Sequence, residues 1–254
     1  MMTHVYFDFF GTLVDYDPDI HPADANAPHG ATTRLGLELS PDQASAAWET
    51  AWSELDGRAQ ESGRECSMWE IARRFFELSG VPQAPHAAVD RLVDEYLAAW
   101  TANIQLASDV PACLRELSAA GLQLSVVSNT HHPRLVQEQL ARFGIAGSFR
   151  RVHTSVEIGW RKPRPELFDT VLERDGIVAS QAAFVGDTWT ADVAGPRAAG
   201  MRAYYVGVPA AGRVPVPMRE LAARIRAANM ELPGDGPARI SSRRPHPSRP
   251  DPAR

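Results

Sequence analysis

A chain of 254 residues with 44% hydrophobic and 22% charged side chains has room for one large domain, or for a core carrying a sizeable insertion, and has the composition of an ordinary globular protein. Residues 239–254 carry a local +4, so of the net −5 the remaining 238 residues carry −9, which argues against a nucleic-acid-binding face on the globular part. No apolar run reaches the roughly 18 residues that a membrane-spanning helix needs.

In chain order, the opening stretch MMTHVYFDFFGTLVD has no basic segment and carries an aspartate inside its apolar run, so it is not read as a secretory signal. Residues 5–9 predict a first buried strand. Residues 16–30, with three prolines, read as a loop. Three amphipathic helices follow, at 41–61, 67–79 and 85–101. In the first of them Ala44, Trp48, Trp52 and Leu55 recur at helical spacing and read as core packing. From there strands are predicted at 123–128, 151–154, 183–186 and 203–207. Helices at 111–120, 134–143 and 166–175 lie between them, each stopping at or beside a glycine. Alternating strands and helices with short connections predict a parallel sheet covered on both faces. A helical block inserted after the first strand predicts a lid over the carboxyl edge of that sheet.

The tail carries Arg239, Arg243, Arg244, Arg249 and Arg254 against Asp251 alone, is rich in proline, and is read as a disordered charged terminus. Cys66 and Cys113 have no CxxC partner and no disulfide framework, which fits a reducing cytoplasm. Both fall among apolar neighbours in helical patterns and are expected to be buried and inert.

Four segments carry chemistry. Asp8 ends the first strand and is followed by Phe9-Phe10-Gly11-Thr12-Leu13. An aspartate there costs free energy unless it is hydrogen-bonded or faces a cation. Ser128 and Asn129 end a later strand. Lys162 stands in Arg161-Lys162-Pro163-Arg164-Pro165, just before a helix start. Gly186-Asp187 and Asp192 deliver two more carboxylates from another strand end.

The order DxxGT, S-N, K-P-x-P and GDxxxxD resembles the haloacid dehalogenase-like (HAD) hydrolase superfamily, over about residues 3 to 210, with the insert where that family has its type 1 cap. The resemblance implies an α/β fold, a three-layer Rossmann-like parallel sheet core with an inserted all-helical cap. Residues 1–16 and 106–225 would form the core, 17–105 the cap and 226–254 a C-terminal segment. It implies hydrolysis through an aspartyl intermediate with Asp8 as nucleophile. Lys162 and Ser128 would stabilise charge, and Gly11, Thr12 and Asn129 would bind substrate. Mg²⁺ would be held by Asp8, the Phe10 carbonyl and Asp187, with Asp192 in support. A carboxylate nucleophile needs no deprotonation at neutral pH, and a hard cation takes oxygen ligands of this kind.

One position departs from the family's phosphatases: Phe10 stands where they carry a second aspartate as general acid and base. Three readings follow. The first is a Mg²⁺-dependent phosphatase of a small molecule that needs little acid help or borrows a proton from His131, His132, His21 or His29. The second is a 2-haloacid dehalogenase-like enzyme, whose halide leaves without a proton. The third is a ligand-binding protein with weak catalysis. Asp187 and Asp192 favour the first, because carboxylates aimed at Asp8 repel it unless a cation lies between them. Arg34, Arg161 and Arg164 are expected at the surface and Trp189 between core and cap. A homodimer through apolar cap surface stays open. GxSxG, HExxH, GxxxxGK[ST] and GxGxxG patterns are absent.

Overall fold

The computed structural model describes residues 1–16 and 26–230. His21 and the residues from 231 onward, which include the basic tail, lie outside the described part. The core is a five-stranded, all-parallel sheet. Its strands are β1 (His4–Phe7), β4 (Gln123–Ser128), β5 (Arg151–Thr154), β6 (Ala182–Gly186) and β7 (Arg202–Tyr205), in the order β5-β4-β1-β6-β7. Two short strands complete the set, β2 (Val14–Asp15) and β3 (Gln105–Leu106).

β1 is buried along its whole length because it is the central strand, with β4 and β6 on either side; Val5 pairs with Leu124 and with Ala183. Successive side chains point to opposite faces. Val5 and Phe7 therefore enter one apolar layer, with Leu114 and Leu117 of α5 (Val110–Ala119) and Leu221 and Ile225 of α10 (Met218–Met230). Tyr6 enters the other, with Leu167, Phe168 and Val171 of α8 (Pro165–Asp175) and with Phe184. α6 (Leu135–Arg142), α7 (Ser155–Ile158) and α9 (Gly195–Ala198) complete the crossovers. The fold class is the three-layer parallel α/β core with a helical cap.

The helical block holds four helices: α1 (Ala27–Arg34), α2 (Pro41–Ser62), α3 (Met68–Leu78) and α4 (His86–Thr101). Capping boxes start two of them, Ser40 with Gln43 and Ser67 with Glu70. Their apolar faces meet in a separate core built on Trp48, Ile71, Phe75, Phe76, Leu92 and Val93.

Three expectations need correction here. Residues 27–30, read as the end of a loop, instead begin a helix that runs to Arg34: Ala27, Pro28, Ala31 and Thr32 are buried, and α1 packs on α2 and α4. The two ends of the insert are joined by a strand pair that no predicted element covers, since β3 pairs antiparallel with β2 and ties together the two crossings to the core. α10 runs to Met230, past the predicted core limit at residue 225.

Candidate active site

The site forms at the carboxyl edge of the sheet, where open α/β folds gather their functional loops. Asp8 leaves β1 with its backbone N–H donating to the Val185 carbonyl at 2.9 Å, which fixes the chain at the strand end. The loop after α7 brings in Lys162, whose side chain is buried over the Phe184 ring. Its Nζ donates to Asp8 Oδ1 at 2.6 Å and to Asp192 Oδ1 at 2.7 Å. Asp192 is held from its other oxygen by the Thr188 N–H at 2.9 Å. Thr12 Oγ1 donates to Asp8 Oδ2 at 3.2 Å and reaches Asp187 Oδ1 at 3.4 Å. Asn129 grips the Lys162 backbone from both sides: it accepts from the Lys162 N–H at 2.8 Å and donates to the Lys162 carbonyl at 3.1 Å.

One ammonium thus faces three carboxylates. Burial pushes the Asp8 carboxyl above the usual carboxylate range; Lys162 opposes that, and the charges of Asp192 and Asp187 add to it. Burial works against the charge on Lys162, but Asp192 and Asp8 outweigh it and hold the pKa above the ordinary lysine value. Asp187 is likewise raised, by burial and then by Asp192. Asp8, Asp187 and Asp192 each offer an oxygen, all within 4.8 Å of one another. This hard, oxygen-only donor set with excess negative charge suits a divalent cation such as Mg²⁺. Gly11 (φ +76°) makes the room: a Cβ there would lie 2.8 Å from Asp187 Cγ.

Not every predicted residue meets at this centre. The Ser128 hydroxyl is fully buried and turns to the Asn129 carbonyl at 3.4 Å, so it does not line the cleft that Asn129 and Lys162 line. Phe10 puts its ring into the cleft wall, packed on Phe9, Tyr16 and Trp100. Trp189 packs on Tyr205 beneath Arg197 and Arg213, all core residues, and not between core and cap. Arg34 pairs with Glu95 on the cap exterior. His29 does not line the cleft.

The cleft between core and cap measures about 550 Å³. Its far wall includes Trp48, Trp52, Tyr96 and Trp100, so the stripe read as core packing also faces the cavity. Arg161 faces the cleft as well, contrary to the surface placement expected of it. Its Nη1 pairs with Asp56 Oδ1 at 2.7 Å and its Nε lies 3.5 Å from Glu65 Oε2. His131 joins them: Nε2 lies 3.4 Å from Asp56 Oδ1, and Nδ1 lies 3.1 Å from Glu65 Oε1 and 3.4 Å from Cys66 Sγ. Burial works against the His131 charge, but hydrogen bonds to Asp56, Cys66 and Glu65 push its pKa up to about 12. Cys66 therefore sits in the loop before α3 beside a charged network, not within a helix. Cys113 is buried on α5, where burial pushes its thiol up to about 12. Sequence reasoning missed Asp56 and Glu65. A signal for Asp56 existed, because it continues the Trp48, Trp52 spacing by one more turn and puts a charge on an apolar stripe.

A family model described as "Haloacid dehalogenase-like hydrolase" matches residues 48–206. The chain belongs to the haloacid dehalogenase-like hydrolases. It is 31% identical over 183 residues to a haloacid dehalogenase-like hydrolase domain-containing protein 3 from Danio rerio, covering 68% of this chain and 73% of that one. It is 28% identical over 202 residues to a ribulose-1,5-bisphosphate 5-phosphatase from Halopiger xanaduensis, covering 79% and 83%. Among solved structures, the 2-haloacid dehalogenase from Pseudomonas syringae pv. Tomato DC3000 superposes with a TM-score of 0.70 at 25% identity, covering 90% of this chain and all of that one. Membership makes the chain a hydrolase. No helix among the described residues is long and apolar enough to cross a membrane.

Proposed function

We propose that this hydrolase is a Mg²⁺-dependent phosphatase of a small phosphorylated metabolite, working through an aspartyl-phosphate at Asp8 in the cytoplasm. The observation that carries the reading is the single buried ammonium of Lys162 shared by Asp8 and Asp192, with Asp187 close by. Three acids around one base have a reason to be there if a cation and a phosphoryl group enter between them.

Lys162 and a cation bound beside it would favour the carboxylate form of Asp8 against the burial that raises its pKa, so that one oxygen attacks phosphorus without a prior proton transfer. Phosphoryl transfer asks mainly for positioning and for neutralisation of charge on the equatorial oxygens. Lys162 supplies fixed positive charge, and Asn129 holds it in place through its backbone. Thr12 orients Asp8 by its hydrogen bond. Asp8, Asp187 and the Phe10 carbonyl would hold Mg²⁺, with Asp192 supporting the arrangement. Bound there, Mg²⁺ supplies charge stabilisation to the phosphoryl oxygens. Water then cleaves the aspartyl-phosphate to orthophosphate and regenerates Asp8. The Halopiger xanaduensis relative, named a ribulose-1,5-bisphosphate 5-phosphatase, supports this direction.

A second reading rests on Phe10, whose ring occupies the cleft wall beside Asp8. Carbon–halogen hydrolysis needs no acid there, and the Pseudomonas relative is named a 2-haloacid dehalogenase. A panel of phosphate monoesters and 2-haloacids, with and without EDTA, separates the two. The phosphatase reading expects phosphate release that EDTA abolishes and Mg²⁺ restores. Halide release that EDTA does not touch would replace it with the second reading.

A further inference from the structure

We propose that the substrate's leaving group is an uncharged phenol-type ring, so that the natural ester is an aryl phosphate. The proposal rests on the phosphatase reading above and narrows its substrate class. Two independent features of the cleft support it.

The first is the shape and chemistry of the cavity beyond Asp8. Phe10, Tyr16 and Trp100 form one cluster, with centroids 5.1–6.1 Å apart and Phe10 edge-to-face with the other two. Trp48, Trp52 and Tyr96 form a second on the cap, with centroids 4.4–6.4 Å apart. Both line the same 550 Å³ space. Planar rings dock on such walls by offset or edge-to-face contact, and a cavity of this size encloses a small ring. The cations there are already engaged among the described residues. Lys162 holds Asp8 and Asp192, while Arg161 and His131 are shared by Asp56 and Glu65. A leaving group bearing a carboxylate or a second phosphate would meet acids without a free base.

The second feature is the supply of protons. A group that departs as an alkoxide needs a proton at that moment, and a positioned acid contributes roughly 10²–10⁴-fold. Among the described residues, the wall beside Asp8 is the Phe10 ring. The Tyr16 hydroxyl is a phenol, a far weaker acid than the carboxyl group that the family's phosphatases carry at position 10. Both ring nitrogens of His131 are engaged with Asp56, Glu65 and the Cys66 carbonyl. His132 is buried, which lowers its pKa and leaves it neutral near pH 7, without an acidic proton to give. An aryloxide leaves without that help. In the step, the bond between Asp8 Oδ and phosphorus forms and the P–O(aryl) bond breaks. The aryloxide takes the electron pair and later a proton from water. Water then adds to phosphorus, the Asp8–phosphorus bond breaks, and orthophosphate is released.

The test is a substrate series with the full chain and Mg²⁺: substituted phenyl phosphates, benzyl phosphate, 3-phosphoglycerate and acetyl phosphate. The proposal expects kcat/KM to fall steeply as the phenol becomes less acidic. Benzyl phosphate, with a ring but an alkoxide leaving group, should run roughly 10²–10⁴-fold slower than phenyl phosphate. Acetyl phosphate, which leaves easily but has no ring, should show a KM at least roughly tenfold higher than phenyl phosphate. Trp52→Ala should raise KM for phenyl phosphate with kcat retained, as loss of uniform binding does. A flat dependence on the leaving group, or 3-phosphoglycerate turned over within about tenfold of phenyl phosphate, overturns the proposal while leaving a phosphatase. An unchanged KM in a folded Trp52→Ala variant also overturns it. Phosphate release from none of the esters overturns the phosphatase reading itself.

Discussion

Arg161 of the core and Asp56 of the cap meet at 2.7 Å, with only 14% and 16% of their side chains exposed. The pair is the shortest ion pair linking the two parts among the described residues, and Glu65 and His131 surround it. A guanidinium this enclosed holds its partner mainly by charge-assisted hydrogen bonding. Removing it leaves two acids sharing His131 alone. Arg161→Met is expected to lower stability by roughly 1.5–3 kcal/mol. A thermal melt beside Asp56→Asn and the double variant checks this, and additive effects would mean the two side chains are not coupled.

The same cluster gives a pH dependence with a definite sign. His131 has its folded pKa raised, to about 12, above the unfolded value of about 6.5. Its contribution is therefore complete below about pH 6.5 and declines as pH rises toward the folded value. Denaturant melts from neutral to alkaline pH should show stability falling in the parent chain and a shallower fall in His131→Gln. Parallel curves would show that His131 is not held cationic by Asp56 and Glu65.

Gly11 is the position where a single methyl reaches the acidic cluster. Its φ of +76° disfavours any other residue, and the added carbon would press on Asp187. Gly11→Ala is expected to weaken Mg²⁺ activation by roughly 10–100-fold, the range found when groups supporting a metal ligand are disturbed. A Mg²⁺ titration of activity measures it, and an unchanged half-saturation would place Asp187 outside the metal site.

A buried polar group away from the cleft provides a stability test. The Tyr6 hydroxyl donates to Asp175 Oδ2 at 2.8 Å, His153 Nε2 lies 3.2 Å from the same oxygen, and Arg151 Nε lies 3.2 Å from Oδ1. None of the four lines the cleft. Tyr6→Phe removes a donor from a buried carboxylate and is expected to cost roughly 1–3 kcal/mol, with kcat/KM unchanged. A melt unchanged by the substitution would contradict it.

The strands were legible because each is a short apolar run with a turn signal behind it. Two of them, 123–128 and 151–154, begin and end where the sequence places them. Asp8, Lys162, Asp187 and Asp192 were legible because charged groups at the ends of buried strands and beside proline-marked helix starts have few other reasons to be there. α1 was hidden by its own composition. APHGATTR has little amphipathic pattern, and α1 is held by packing on α2 and α4 rather than by propensity. β2 and β3 are two residues each, too short for any period to register. The cluster joins Asp56, Glu65 and Cys66 of the cap to His131 and Arg161 of the core, 65 to 105 positions away, on loops and a helix face. Sequence spacing carries no information about such a meeting.

In the phosphatase reading, Asp8 carries the phosphoryl group between the two steps. Acid quenching during turnover of an aryl phosphate, followed by peptide mass spectrometry, tests that directly. The expected result is one added phosphoryl group on the peptide containing Asp8, lost on standing and missing in Asp8→Asn. Steady turnover with no such adduct, with the adduct on another residue, or with an active Asp8→Asn variant would contradict it.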